Sequence, residues 1–111
     1  MKILNIKLND KNYMTGKITA FISKEALKIQ RDSLNLAKLG KELQENLENI
    51  DKVAEMLDLL EELNKRKAWL IVEVYQNQFS VDELEKELTS EEITSEINKI
   101  VMGVTGVISK N

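Results

Sequence analysis

Three residue types are missing from this sequence, which contains no cysteine, no histidine and no proline. Without cysteine there is no disulfide framework and no thiolate nucleophile or ligand, and without histidine the commonest metal ligand and general base is missing. Glycine is scarce, with four residues, and aromatic side chains make up 5% of the chain. Because most templates for catalytic sites are excluded, we predict that the protein is not an enzyme and holds no cofactor or metal.

Long hydrophobic runs and strong positive charge are also missing. The N-terminal sequence MKILNIKLNDK lacks the apolar core and the small-residue cleavage site of a signal peptide. No segment approaches the roughly 20 apolar residues of a membrane span. The net charge of −3 argues against general nucleic-acid binding, which needs a basic surface. We expect a cytoplasmic protein whose partners are neither membranes nor nucleic acids.

What the sequence does contain is typical of a soluble helical protein, with 42% hydrophobic and 32% charged residues in a chain of 111 residues. This length suffices for one modest hydrophobic core. We predict a single domain over residues 1–111 with a mainly α fold. Residues 1–22 form a short β-hairpin or extended arm, and residues 23–111 form a small bundle of about four helices.

The N-terminal residues show the alternation of a half-buried strand, since Leu4, Ile6 and Leu8 share one face. The cluster NDKN over residues 9–12 favours a turn, and residues 13–21 can return as a second strand. Residues 1–22 carry four lysines and one aspartate. We interpret these lysines as a solvated edge of the hairpin that discourages pairing with other strands.

A helical pattern begins at Ser23, which can cap a helix starting at Lys24, with Ile22 stapled onto Leu27. Gly40 lies inside the pattern and costs about 1 kcal/mol relative to alanine, which predicts an interruption near residues 40–49. The predicted apolar faces of this segment consist of Ala26, Leu27, Gln30, Leu34 and Ala37, extended by Leu36, Leu39, Leu43, Leu47 and Ile50.

A second helix of about 25 residues is predicted from Ile50 onward by helical spacing. Its residues 68–75 are apolar on almost every side, which is typical of a central helix covered by its neighbours. The apolar stripe of this helix runs through Val53, Ala54, Leu57, Leu60, Asn64, Ala68, Ile71 and Tyr75.

Two capping boxes follow, Ser80 with Glu83 and Thr89 with Glu92. Each has a hydrophobic staple, Phe79 with Leu84 and Leu88 with Ile93, so we predict two further helices. The second is expected to bury Ile93, Ile97, Ile100, Val101 and Val104, and to end at Gly103 or Gly106.

This C-terminal part is acidic, with seven acidic residues and two lysines over residues 82–99. The acids lack the spacing of a calcium loop, and helix capping and the helix dipole account for those in first turns. The basic N-terminal residues and these acidic helices together suggest head-to-tail self-association.

Seven residues are candidates for contacting another protein. The sequence AWLIVEVYQNQF over residues 68–79 holds most of the large aromatic side chains, which build either a core or a binding surface. The basic triplet before it can instead pair with Glu61 and Glu62 at four-residue spacing, which we favour over a phosphate site. The seven candidates are Trp69, Val72, Tyr75, Phe79, Lys65, Arg66 and Lys67.

Residues 63–106 contain the motif VEVYQNQFSVDELEKEL, an acidic stretch after it and a terminal helix ending VMGVTG. In these motifs the region resembles the tail assembly chaperone family of long-tailed bacteriophages, the counterpart of the lambda G protein in phages and prophages of Gram-positive bacteria. The opening strand and turn, followed by FISKEALKIQRDSL, are also similar to the family. Within the first motif the resemblance is carried by Tyr75, Asn77, Gln78, Phe79, Ser80 and Asp82.

The resemblance implies a small, mostly helical protein that acts during tail assembly in the host cytoplasm and is absent from the finished virion. It also implies that the protein binds the tape measure protein, self-associates around it and helps recruit tail tube subunits. Such families often add a C-terminal extension by ribosomal frameshifting, and a chain ending at Asn111 is then the short form.

Two other classes of function are considered beside the chaperone. One is a small helical regulatory adaptor that binds a single host or phage protein as a fixed dimer. The other is a nucleic-acid-binding regulator that uses the basic triplet and the N-terminal lysines, which the negative net charge disfavours.

Overall fold

The computed structural model describes residues 4–15, 17–45 and 48–105. The predicted mainly α fold, with four helices after a short N-terminal hairpin, is confirmed. Predictions for Gly16, Leu47 and Gly106 lie outside the described residues, as does that for the Val104 side chain. The elements in chain order are β1 (Asn5–Leu8), β2 (Lys11–Met14), α1 (Ala20–Gln44), α2 (Ile50–Val74), α3 (Val81–Glu87) and α4 (Ser90–Thr105).

The hairpin pairs β1 and β2 antiparallel, with Leu8 opposite Lys11. Asn9 and Asp10 form the two-residue turn with φ of 51° and 64°, a region that asparagine and aspartate tolerate better than most residues. The predicted turn is therefore confirmed at its first two residues. The returning strand was misplaced, because a two-residue turn brings Lys11 directly into β2, which ends at Met14.

The first helix begins four residues earlier than predicted. Thr19 is the N-cap, and its hydroxyl accepts a hydrogen bond from the Ile22 amide at 3.3 Å. The predicted cap, Ser23, lies inside the helix and donates its amide to the Thr19 carbonyl at 3.0 Å. The predicted staple of Ile22 onto Leu27 is wrong, because Ile22 is buried within the helix whereas Leu27 is exposed.

Helices α1 and α2 form an antiparallel pair, with Asp32 beside Arg66 and Gly40 near Met56. The predicted interruption is confirmed between Gln44 and Ile50, but Gly40 does not cause it and lies inside α1. Helix α2 spans the predicted 25 residues and is capped by Asn49, whose side chain accepts from the Lys52 amide at 3.2 Å.

The chain reverses after α2 through Gln76 and Asn77, which have φ of 57° and 60°. The helix therefore ends at Val74, directly before Tyr75 and the polar residues 76–78. The Gln78 side-chain amide donates to the Met14 carbonyl at 3.0 Å and to the Tyr75 carbonyl at 2.8 Å. This contact ties the hairpin to the end of α2.

Both predicted capping boxes are present. The Ser80 hydroxyl accepts from the Glu83 amide at 3.1 Å, and the Glu83 carboxylate accepts from the Ser80 amide at 3.0 Å. Thr89 and Glu92 make the same exchange at 3.1 and 2.8 Å. Of the two glycines predicted as the possible end of the last helix, Gly103 lies inside α4, which extends to Thr105.

A continuous core joins the hairpin, the first half of α1, the second half of α2, and both C-terminal helices. The predicted central position of residues 68–75 is confirmed, since most of their apolar side chains are buried. The predicted face of α1 was rotated, because Leu27 and Leu34 are exposed while Ile29 is buried. The core consists of Ile6, Leu8, Ile22, Ala26, Ile29, Leu63, Ala68, Leu70, Ile71, Val72, Val74, Tyr75, Phe79, Leu84, Ile97 and Ile100.

Candidate protein-binding surface

Three of the four apolar candidates from the sequence, Val72, Tyr75 and Phe79, are buried. The Phe79 ring packs edge-on against Tyr13 of the hairpin, with centroids 5.0 Å apart, and its centroid lies 5.6 Å from that of Tyr75. These side chains hold the hairpin against the end of α2. Their place in the folded chain is structural.

The fourth apolar candidate, Trp69, lies at the surface. Its ring makes an edge-to-face contact with Phe21 of α1, with centroids 6.0 Å apart and planes at 87°. Both rings are exposed. The pair joins the first turn of α1 to α2 and leaves aromatic surface facing solvent, which is suited to a protein contact.

The basic triplet is divided by the structure. Lys65 is exposed, whereas the Arg66 guanidinium donates from Nη1 to Asp32 Oδ2 at 2.7 Å. Lys67 is buried, and its ammonium donates to Thr94 Oγ1 of α4 at 3.2 Å, while burial lowers the pKa of Lys67. The predicted pairs of Glu61 with Lys65 and Glu62 with Arg66 are wrong, because neither is formed among the described residues and Arg66 bridges to α1 instead. Of the three side chains in this triplet, only that of Lys65 is exposed.

Tyr75 carries an unusual polar group for a core residue. Its hydroxyl is buried and has no hydrogen-bond partner among the described residues. Burial raises the pKa of Tyr75 above its ordinary value, and the negative charge of Glu96 on α4 raises it further. The phenol is therefore held neutral inside the core.

Several large apolar side chains on the far part of the α1–α2 pair are exposed. The core cluster ends at Leu63 of α2 and the partly buried Leu36 of α1. We call residues 37–45 and 48–62 the arm. Leu43 is the only buried side chain among these described residues. The arm exposes four large apolar side chains, Ile50, Leu57, Leu59 and Leu60.

The arm continues an apolar stripe that is buried elsewhere in the same helix. Helical spacing places Leu57 and Leu60 on the face that carries Ala68 and Ile71. Ala68 and Ile71 are fully buried, whereas Ile50, Leu57 and Leu60 are 77%, 54% and 40% exposed. The sequence predicted this stripe, and the structure shows that the core covers only its C-terminal half.

Two hollows lie along the α1–α2 pair. An open groove of about 560 Å³ lies on the arm, and Val53 of the apolar stripe lines it. A separate cavity of about 260 Å³ lies where the arm meets the core, between Leu39, Leu59 and the Asp32–Arg66 pair. The groove is lined by Ala37, Gly40, Lys41, Leu43, Gln44, Val53 and Met56.

The arm is also strongly acidic on its α2 side. Residues 48–62 contain six acidic residues and one lysine, a net charge of −5, whereas residues 37–45 contain two of each sign. No ion pair involves these carboxylates among the described residues. The uncovered leucines, on a helix whose opposite face carries most of these carboxylates, make the arm the candidate protein-binding surface.

Sequence reasoning did not select the arm as a site. It assigned Leu57 and Leu60 to an apolar stripe without asking what covers that stripe. The lengths of the helices could have indicated it, because α4, with 16 residues, is too short to cover an apolar stripe that runs along all 25 residues of α2.

No group of three or more acidic side chains is placed to hold a metal ion within the described ranges. None of the described helices is both long and apolar enough to cross a membrane. The exposed apolar and acidic helix surface of the arm suits protein recognition.

The comparison with protein families decides the identity. A model described as "Phage tail chaperone protein" matches residues 1–111. The chain belongs to the phage tail chaperone family. Neither the curated proteins nor the solved structures contain a match.

Membership of the phage tail chaperone family confirms the resemblance seen in the sequence. It supports a role in tail assembly, with phage tail proteins as partners, and the family's role is an assembly role without catalysis. The motif VEVYQNQFSVDELEKEL that carried the resemblance is structural in this chaperone, since Tyr75 and Phe79 are core residues and Ser80 caps α3.

Proposed function

We propose that this tail chaperone binds the tape measure protein of its phage in the host cytoplasm, helps recruit tail tube subunits and is absent from the mature virion. The observation that carries the proposal is the uncovered arm, where Ile50, Leu57, Leu59 and Leu60 face solvent. Exposed apolar side chains that share one helix face, as Ile50, Leu57 and Leu60 do, mark a site for another protein. Family membership over residues 1–111 supports a tail protein as that partner.

A tape measure protein is long and prone to aggregate before the tube encloses it. A chaperone prevents this by covering apolar segments of its client with its own apolar surface. The acidic residues of the arm keep the free chaperone soluble, because like charges oppose contact between arms. Reversible binding then releases the client when tube subunits arrive.

Self-association around the client forms part of the proposal. The exposed lysines of the hairpin, Lys7 and Lys11, lie near α3 within one chain, where the Asn9 amide donates to Glu87 Oε1 at 3.2 Å. In a head-to-tail row these lysines also face the acidic first turn of α4 in the next copy. We expect oligomers that grow with protein concentration and weaken with added salt.

Co-expression tests the central claim. The tape measure protein is produced with and without this chain, and its soluble yield and copurification are measured. We expect the chain to raise the soluble yield and to copurify with the tape measure protein. A tape measure protein that precipitates equally in both cases contradicts the proposal, and a discrete dimer without affinity for it favours the adaptor hypothesis.

Two further measurements test the remaining parts. Sedimentation velocity over a range of protein and salt concentrations tests self-association, and a strictly monomeric chain at high concentration and low salt opposes it. Mass spectrometry of purified virions tests whether the protein leaves the particle, and a stoichiometric signal there opposes that part of the proposal.

A further inference from the structure

We infer that the arm binds a basic amphipathic α-helix in its groove. This inference rests on the proposed function, in which the helix is a segment of the tape measure protein. The site consists of the leucines Leu57 and Leu60, the groove beside Val53, and the carboxylates of residues 48–62.

The shape of the arm favours a helix as the occupant. Two antiparallel helices leave a groove between them, and a third helix packs into such a groove by placing its side-chain ridges there. This chain already uses that arrangement, since α4 packs on both α1 and α2 in the core. Because the core cluster ends at Leu36 and Leu63, the same pair of helices offers an unfilled groove on the arm.

The spacing of the exposed side chains matches the same occupant. Leu57 and Leu60 stand one turn apart, and Ile50 lies two turns before Leu57 on the same face. A partner helix with apolar residues at positions i, i+3, i+4 and i+7 presents a complementary stripe. An extended peptide has no comparable partner here, because the nearest surface offers helix backbone that is already hydrogen-bonded.

The charge of the arm selects a basic helix. Asp51, Glu55, Asp58 and Glu61 are exposed and make no ion pair among the described residues. A second copy of the arm brings the same net charge of −5 over residues 48–62, so arm-to-arm contact is opposed by repulsion. Helical spacing places Glu61 nearest to Leu57 and the other carboxylates toward the far side of α2, so a helix with lysine and arginine on its polar face is attracted by their combined field and meets the arm faster.

Peptide binding by the full chain tests the inference without the tape measure protein. The probe is a fluorescein-labelled amphipathic helix of leucines and lysines, with a charge-reversed peptide of leucines and glutamates for comparison. Anisotropy is recorded at low and high salt. We expect the basic peptide to bind and to weaken with salt, and the acidic peptide not to bind.

A variant with matched control separates the arm from other apolar surface. Leu57→Gln with Leu60→Gln removes the exposed stripe, and we expect the affinity for the basic peptide to fall by a factor of roughly ten or more. Leu27→Gln with Leu34→Gln makes the same chemical change at exposed positions of α1 outside the arm. This control is expected to bind as the parent does, and circular dichroism verifies that both variants fold.

A second pair of variants tests the role of charge. Glu55→Lys with Asp58→Lys reduces the net charge of residues 48–62 from −5 to −1, and the basic peptide is then expected to bind more weakly and with a smaller dependence on salt. Glu85→Lys with Glu91→Lys changes the net charge equally on α3 and α4, where both side chains are exposed. Equal responses of the two variants overturn the inference, because total charge and not the arm then governs binding.

The outcomes distinguish this inference from the proposed function. Copurification of the tape measure protein without binding of the basic peptide overturns the inference and leaves the proposed function standing. Peptide binding without tape measure copurification supports the surface and opposes the proposed function. A parent dimer that Leu57→Gln with Leu60→Gln converts to a monomer shows that a second copy covers the arm, which also overturns the inference.

Discussion

Arg66 of α2 donates from its guanidinium to the Asp32 carboxylate of α1 at 2.7 Å, where the core ends and the arm begins. This hydrogen bond holds the pKa of Asp32 below its ordinary value, with a smaller contribution from Arg31. Both partners are about one-third exposed, so solvent weakens the attraction between them. The pair therefore fixes how the arm leaves the core more than it adds to overall stability.

Asp32→Asn is expected to lower the free energy of unfolding by at most about 1 kcal/mol at neutral pH. Because the pKa of Asp32 is lower in the folded chain, its contribution is present above the unfolded pKa of about 3.9 and is lost as pH falls. Urea unfolding of the parent and the variant at neutral and acidic pH measures the difference, which is expected to shrink in acid.

The control for this prediction is Asp58→Asn, which removes a carboxylate of the arm that makes no ion pair among the described residues. It is expected to leave stability nearly unchanged. A double variant of Asp32→Asn and Arg66→Gln measures the coupling, and additive effects contradict the pairing.

Tyr75→Phe is expected to be neutral or stabilising, although Tyr75 is only 1% exposed. Its hydroxyl is buried without a hydrogen-bond partner among the described residues, and removing such a group removes an uncompensated desolvation cost. Thermal or urea unfolding measures the change. A loss above about 1 kcal/mol shows that the hydroxyl makes a stabilising contact.

The pH dependence of the same residue has a definite sign. Burial raises the folded-state pKa of Tyr75, so above an unfolded pKa of about 10 the unfolded chain releases this proton first. Stability due to the neutral phenol is complete below that pH and falls as pH rises. Tyr75→Phe is therefore expected to unfold less readily than the parent in alkali, and Tyr13→Phe serves as a control for the other tyrosine.

The Lys67–Thr94 contact predicts unequal effects for its two partners. Thr94→Val leaves the buried ammonium without its hydroxyl acceptor and is expected to cost roughly 1–3 kcal/mol. Lys67→Met removes the charge and keeps the apolar stem, so a smaller effect of either sign is expected. Because burial lowers the pKa of Lys67, the parent gains stability relative to Lys67→Met as pH rises toward the unfolded pKa of about 10.4.

Chemical unfolding of the parent, Thr94→Val, Lys67→Met and the double variant tests this order of stabilities. The double variant is expected to resemble Lys67→Met, because no ammonium then needs an acceptor. A Thr94→Val variant as stable as Lys67→Met contradicts the contact.

The start of α1 is tested by comparing Thr19, its N-cap in the structure, with Ser23, the N-cap predicted from the sequence. Thr19→Ala removes the N-cap of α1 and is expected to cost about 1 kcal/mol, as is Ser80→Ala at α3. Ser23→Ala lies inside α1 and is expected to have little effect. Thermal unfolding of the three variants measures this, and a larger loss for Ser23→Ala than for Thr19→Ala places the helix start at Ser23.

Local signals in the sequence predicted much of the fold. The capping boxes at Ser80 and Thr89 gave both C-terminal helix starts, because the reciprocal hydrogen bonds involve residues only three apart. Ser23 is not the N-cap, although local sequence favours it, because Thr19 four residues earlier is an equally good capping residue. The burial of Ile22 decides between the two. The rotation of the α1 face was likewise set by its neighbours.

The sequence by itself determined a helical protein with a hairpin, a central apolar helix over residues 68–75 and a place in the phage tail chaperone family. These follow from periodicity, capping and motif, which are properties of neighbouring residues. Only the tertiary structure decided that Tyr75 and Phe79 are core, that Arg66 and Lys67 bridge helices, and that Leu57 and Leu60 stay uncovered. Burial depends on which element packs opposite, and an apolar stripe carries the same pattern whether or not another helix reaches it.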